Sequence, residues 1–356
     1  MERDQWIELL QKLLLARGPG GQEDEVRHLC AQALEGVCDE LQVDPAGNLI
    51  GVIRAATPAS PESAIKLMAH LDEIAMVVKL IDADGTLQVT ALGGAQPISF
   101  GACPVDILAA QGSLPGVLSF GSMHNSGESQ QGQDVLSGQV AWDDVHVVTR
   151  LSRDALIERG VRPGSRVVLS QHWRQLFRVN DALAAHFMDD RAPLVALILA
   201  ARRLAGRRQA LRQDVWFVCT TLEEESNAGA MYAAARLPGE TTIAVEVGPV
   251  LDEYGTRLSA DPIINTGDKK GYYTRDVVQG LVAATEVAGV GAQVALLVDF
   301  ASDASAVMSA GHCARGGCIA IPTENTHGYE VVLEAGIEAC AATLVEYVLA
   351  NPATPQ

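Results

Sequence analysis

Beyond about residue 190 the chain alternates short apolar runs with segments whose apolar residues recur at helical spacing, and few architectures accept that pattern. Helices are expected at 192–207, 227–237, 275–287 and 331–349, and strands at 215–220, 242–247, 294–298 and 318–321. Strands separated by helices cannot pair as hairpins. They cross over and lie parallel, with the helices covering the faces of the sheet. The expected fold class is therefore α/β, a mixed, mostly parallel sheet sandwiched by helices.

Upstream, Trp6, Leu9, Leu10, Leu13 and Leu14 mark one helix, and a second runs from about Glu23 to Gly36 after the break Gly18-Pro19-Gly20-Gly21. Residues 41–52 read as extended around a turn at 44–48, and the apolar strand 64–69 delivers His70. From about Met76 to Phe177 the texture changes to short β-like runs, many glycines, the turn Asp82-Ala83-Asp84-Gly85 and a low-complexity stretch at 125–132. At 356 residues two units are expected. Residues 1–75 with 179–356 form the larger, and residues 76–178 a β-rich insertion within it.

Lys plus Arg number 26 against 44 Asp plus Glu, a net charge of −18 that excludes a nucleic-acid partner, because phosphate backbones are bound by basic patches. The opening Met-Glu-Arg-Asp-Gln-Trp lacks a basic-then-apolar signal, and the apolar stretch 192–201 is about half a membrane span, so a cytoplasmic location without membrane partners is expected. The seven cysteines are dispersed without a Cys-x-x-Cys pair and read as reduced, buried thiols.

Functional groups of open α/β sheets gather at the carboxyl ends of the strands, and polar residues collect at five such places. These are His70-Leu71-Asp72-Glu73, Asp189-Asp190, Glu223-Glu224-Glu225, Glu246 within Ile243-Ala244-Val245-Glu246-Val247, and His327 after Ile321-Pro322. Singly, each has a plainer reading: His70 as a structural histidine, the Glu run as a solvated face, Asp189-Asp190 as a helix cap. Glu246 resists it, since an ionised carboxylate in an apolar strand is costly unless paired or metal-bound. Two histidines with several carboxylates and no cysteine form a mixed N/O donor set suited to zinc, cobalt or manganese. The inventory is large enough for two divalent cations sharing a carboxylate, with one Glu left as the base that metal-assisted hydrolysis needs.

Ala69-His70-Leu71-Asp72-Glu73-Ile74, Met188-Asp189-Asp190-Arg191, Leu222-Glu223-Glu224 with Gly229-Ala230, the Glu246 strand, and Ile321-Pro322-Thr323 with His327 occur in the order in which they occur in the tetrahedral aminopeptidases, the glutamyl and deblocking aminopeptidase family, which the chain resembles. Leu92-Gly93-Gly94 and Gly160-Val161-Arg162-Pro163-Gly164 extend the likeness. The resemblance implies that His70 and Glu246 bind one metal, Glu224 and His327 the other, and Asp189 bridges them. It also implies Glu223 as general base, Asp190 shaping the backbone at the bridge and Asp72 orienting His70. It implies further two metal ions per subunit, zinc first with cobalt or manganese as alternatives, a β-barrel at the insertion, and dimers building a dodecamer. The implied activity is removal of N-terminal residues from short peptides. The alternatives are an amidohydrolase or deacylase acting on a small N-acyl or modified dipeptide, and a non-catalytic scaffold. Glu225, Glu324 and Asn325 depart from the family pattern, so substrate preference is not inherited.

Overall fold

The computed structural model describes residues 1–57, 60–122, 124, 133, 134, 137, 138 and 140–350; the stretch 125–132 lies outside them. Two helices, α1 (Arg3–Leu15) and α2 (Asp24–Leu34), bury Trp6, Leu10, Leu13, Leu14, Val26 and Leu34 along one stripe each, as their apolar spacing demands. The hairpin β1 (Glu40–Val43) and β2 (Leu49–Ile53) follows, then β3 (Ile65–His70), buried over its whole length.

Six strands then close on one another: β4 (Ala75–Ile81), β5 (Leu87–Leu92), β6 (Cys103–Ala109), β7 (Gly112–Ser119), β8 (His146–Val148) and β9 (Arg166–Leu169). They form an antiparallel barrel in the order β4-β5-β8-β7-β6-β9. Strand alternation turns Met76, Val78, Val89, Val105, Ile107, Val147, Val167 and Leu169 into its interior, and closure gives each of the six strands a partner on both sides.

The chain returns through β10 (Phe177–Val179) and β11 (Ala182–His186) into α3 (Met188–Gly206). The apolar run 192–201 is thus the middle of a core helix, buried on every side. Asp189 and Asp190 depart from helical φ/ψ, so regular helix begins only after them and Pro193 falls in the first turn of that regular part, where a backbone N–H would have no intrahelical partner. Next come β12 (Val215–Thr220), α4 (Glu223–Ser226), α5 (Ala228–Ala234), β13 (Thr241–Pro249), β14 (Ile263–Asn265) and the two-residue strands β15 (Gly267–Asp268) and β16 (Gly271–Tyr272). The chain continues through α6 (Arg275–Val287), β17 (Gln293–Ala295), α7 (Asp303–Ser309), β18 (Arg315–Glu324), β19 (Tyr329–Leu333) and α8 (Glu334–Ala350).

The main sheet runs β1-β2-β12-β3-β13-β18-β19-β11-β10, with β14 and β17 attached beside β18. Its centre, β12-β3-β13-β18, is parallel, and the flanking pairs are antiparallel. Alternate residues sort to opposite faces: Leu67 and Val245 join the core under α1, α2, α3 and α8, while Met68 and Val218 pack beneath α5. The expected α/β sandwich with an inserted barrel is what forms. One expectation fails locally, since residues 331–333 belong to β19 and the closing helix begins at Glu334. An apolar Val-Val-Leu run suits either element, and here it completes a ladder with β11.

Candidate metal centre

Because β12, β3, β13 and β18 run parallel, their carboxyl ends reach one rim. Thr220 pairs with His70, and Ala244 pairs with Met68, so Glu246, two residues further on, stands level with His70 on the same face. Three tight corners bring in the remaining groups. Phe187 (φ 68°) turns the chain from β11 into Asp189 and Asp190, Leu222 (φ 58°) turns it from β12 into Glu223 and Glu224, and His327 itself (φ 61°) sits in the β18–β19 connection.

All five residues expected to hold metal meet there. Asp189 is central: its Oδ1 lies 2.9 Å from His70 Nε2 and its Oδ2 lies 3.4 Å from His327 Nε2. Glu246 Oε2 approaches His70 Nε2 to 3.8 Å, and Glu224 Oε2 approaches His327 Nε2 to 3.5 Å. Donor atoms thus fall into two groups that share Asp189, namely His70, Asp189, Asp190 and Glu246, and Asp189, Glu224 and His327. Tetrahedral ligands about 2.1 Å from a cation are roughly 3.4 Å apart, so the observed separations suit such an ion.

The backbone carrying these ligands is held by further buried carboxylates. Asp72 accepts from the N–H groups of Glu223 and Glu224, both at 3.0 Å. Asp190 Oδ2 accepts from His70 N at 2.8 Å, and Glu330 accepts from Asp189 N at 3.1 Å and His327 N at 3.0 Å. Asp72 does stand beside His70, whose Nδ1 is 3.1 Å from its carbonyl and 3.4 Å from its Oδ1. Its two short hydrogen bonds, however, go to the Glu pair. Behind this loop, Glu73 is fully buried between the guanidinium groups of Arg174 and Arg191. Among the described residues the ion-pair partners of Asp189, Glu223, Glu224 and Glu246 are His70 and His327, and no Lys or Arg pairs with them, although Lys269 and Lys270 line the cleft.

That surplus of anions shapes the electrostatics. Burial pushes Glu223 and Glu246 well above the usual carboxylate range, and it lifts Glu224 to about 7 against the pull of His327. Burial would also raise Asp189, but hydrogen bonds from His327 and His70 hold it below that range. Glu224 raises His327 to about 10, and for His70 the charge of Asp190 and the hydrogen bond to Asp189 outweigh burial. Two buried oxygens, Asp190 Oδ1 and Glu224 Oε1, have no hydrogen-bond partner. Crowded acids, paired histidines and orphaned oxygens together fit divalent cations.

The cleft over these residues has a volume of about 280 Å³ and is also lined by Glu225, Asn227, Lys269, Lys270, Asp299 and Phe300. Of the departures noted in the sequence, Glu225 faces this cleft, whereas Asn325 lines a separate apolar groove beside Tyr329, Ile98 and Phe177. His186 also borders that groove, edge-on to Tyr329. Three residues were not expected: Glu330, Asn227, and Asp303, whose Oδ2 accepts from the Thr220 hydroxyl at 2.5 Å. For Glu330 a signal did exist, an acid in the apolar run Tyr329–Leu333; for the other two only the tertiary fold reveals the contact.

The model of the M42 glutamyl aminopeptidase family matches residues 47–342. The lysyl aminopeptidase of Pyrococcus furiosus is 31% identical over 242 residues, which cover 67% of this chain and 66% of that relative. Among solved structures, a TET aminopeptidase from a marine sediment Thaumarchaeota archaeon superposes with a TM-score of 0.87 at 22% identity, covering 98% of this chain and 96% of the other. The Pyrococcus horikoshii TET1 peptidase, described as assembling into a tetrahedron or a large octahedral shell, gives 0.83 at 23% identity, covering 96% and 99%.

Proposed function

The chain belongs to the M42 glutamyl aminopeptidase family, and from that premise we propose a metal-dependent aminopeptidase in which His70, Asp189 and Glu246 hold one divalent cation and Asp189, Glu224 and His327 a second. The activity is hydrolysis of peptide bonds, as family membership establishes, and the scaffold and deacylase alternatives are not favoured by it. One observation carries the two-cation reading: the two oxygens of Asp189 face different histidines inside a nest of buried acids. Zinc, with cobalt or manganese as substitutes, suits the nitrogen and oxygen donors.

Cations in this site would supply Lewis acidity, polarising the scissile carbonyl and making water a better nucleophile. The chain's own contribution centres on Glu223. Its carboxylate is not needed as a ligand, stands at the cleft beside both donor groups, and has the raised proton affinity of a group that takes a proton from water and returns it to the leaving amine. Asp72 fixes its backbone. The remaining acids favour a substrate that brings a positive charge, such as the free α-ammonium of a peptide. A cleft of about 280 Å³ is near the small end of ligand sites, which supports capture of a terminal residue rather than of an internal segment.

Glu223→Gln should keep its cations, counted by elemental analysis, and lose on the order of 10²-fold or more in kcat on free-amine dipeptides. Full residual activity would remove Glu223 from its role. N-acetylated dipeptides should be poor substrates, and faster turnover of the acetylated form would restore the deacylase reading.

Assembly into a homo-oligomer, with dimers as blocks and a dodecamer as the expected particle, is supported by the likeness in fold to the TET1 peptidase and by exposed Ile98, Trp173, Phe177 and Tyr329 lining one groove. A cytoplasmic location is supported by seven free cysteines, of which Cys103 is pushed up to about 12 by burial.

A further inference from the structure

We propose that Asn227, clamped by Asp303, is a positioning residue that fixes the orientation of Glu223 and assigns its two oxygens different tasks. The inference rests on the reading of Glu223 as base. Asn227 is 3% exposed and occupies the left-handed corner (φ 55°) between α4 and α5, a conformation that asparagine tolerates better than other side chains. Its carboxamide nitrogen has two hydrogens, and both are committed. One goes to Glu223 Oε1 at 2.7 Å and the other to Asp303 Oδ1 at 3.1 Å.

The amide has one workable orientation. Turned over, its oxygen would face two carboxylate oxygens at hydrogen-bond distance, so the acids themselves select the donor. Asp303 cannot swing away, because its other oxygen accepts the Thr220 hydroxyl at the end of β12, and it is 1% exposed at the start of α7. A chain of contacts therefore runs from α7 through Asn227 to the tip of Glu223.

With Oε1 held as an acceptor, the free lone pairs of Glu223 belong to Oε2, the oxygen 4.0 Å from His70 Nε2 and turned toward the ligand cluster. A proton taken from water resides on Oε2, and the leaving amine collects it there. An unclamped glutamate would present either oxygen and sample rotamers turned away from the reacting bond, and small losses of alignment are expensive in rate. Sequence alone gives no hint of this role, since Asn227 reads only as the start of a helix.

The test uses the cation-loaded full chain with free-amine dipeptides, and compares Asn227→Gly, which keeps the left-handed corner and removes the donor, with Asn227→Asp, which puts an acceptor there. Asn227→Gly should lower kcat about tenfold or more with KM within about threefold and cation content unchanged. Asn227→Asp, which sets an acceptor against Glu223 Oε1 in place of the donor, should lose at least as much in kcat, again with cation content unchanged. Wild-type kcat in Asn227→Gly, or loss of cations in step with loss of rate, overturns the proposal. Where Asn227→Gly does not fold, kcat of the folded, cation-loaded Asn227→Asp variant decides, and a wild-type value overturns the proposal. An active Glu223→Gln variant would sink the base assignment itself, a result separate from either.

Discussion

At the residue scale the site is an arrangement of acids that only makes sense with something positive among them. Glu224 near 7 and His327 near 10 describe a pair that holds a proton at neutral pH, yet both must be proton-free to donate to a cation. Each of these groups binds its proton more tightly in the fold than in water, so a cation must displace protons, and its affinity rises with pH through the range from 7 towards 10. Titration calorimetry at pH 7.5 in buffers of different ionisation enthalpy should show net proton release on cation binding. Heats independent of buffer would contradict the pairing. Glu330 belongs to the same scale: its two oxygens join Asp189 and His327, ligands contributed by different parts of the chain. In Glu330→Gln one of those buried N–H groups faces an amide donor instead of an acceptor, a cost of about 1–3 kcal/mol. A lowered Tm together with weaker cation binding is the expected outcome, and weaker binding without loss of stability would separate the two effects.

At the element scale, what was legible in the sequence and what was not divide along a physical line. β3, β12 and β13 announce themselves because a strand buried on both faces must be apolar throughout, and that is why Glu246 stands out within one. Strand ends then follow from the parallel crossover rule, which is enough to bring His70, Glu224 and Glu246 to one rim. Asp303 and Asn227 escape notice, since a Ser302-capped helix start and a corner asparagine look alike whether they face solvent or a buried side chain. The barrel's part in the site was equally hidden. Gly94, just beyond β5, approaches His327 so closely that a Cβ there would lie 2.8 Å from the ring Cε1 and 3.0 Å from Nδ1. Gly94→Ala should therefore tilt His327 away from Asp189 while the barrel stays closed. The expected result is selective weakening of one of two cation sites, read as a biphasic metal titration, with Tm changed by a few degrees at most. Two sites of unaltered affinity would show that the barrel does not brace the ligand.

For the whole molecule, charge and apolar surface pull in opposite directions. A net charge of −18 sets like chains against one another, yet Ile98, Trp173, Phe177 and Tyr329 expose apolar area along the groove between the barrel and the edge strand β10. Clustered exposed apolar groups of this kind mark surfaces that are covered by a partner. Under the proposed homo-oligomer that partner would be a second copy of this chain. Repulsion between acidic surfaces is screened as salt rises from roughly 0.01 to 0.15 M, where the Debye length falls from about 30 to 8 Å, whereas burial of Ile98 and Phe177 is little affected. Mass by light scattering should accordingly increase with salt for the unaltered chain. In the double variant Ile98→Asp with Phe177→Asp it should stay near that of a smaller species at every salt concentration, because each new carboxylate would have to be desolvated at the contact. All five candidate ligands and Glu223 come from one chain. The smaller species should for that reason keep its rate per subunit on dipeptides. A double variant that remains large, or one that becomes small and inactive with its cations still bound, would mean that the contact surface or the completeness of the site has been misplaced.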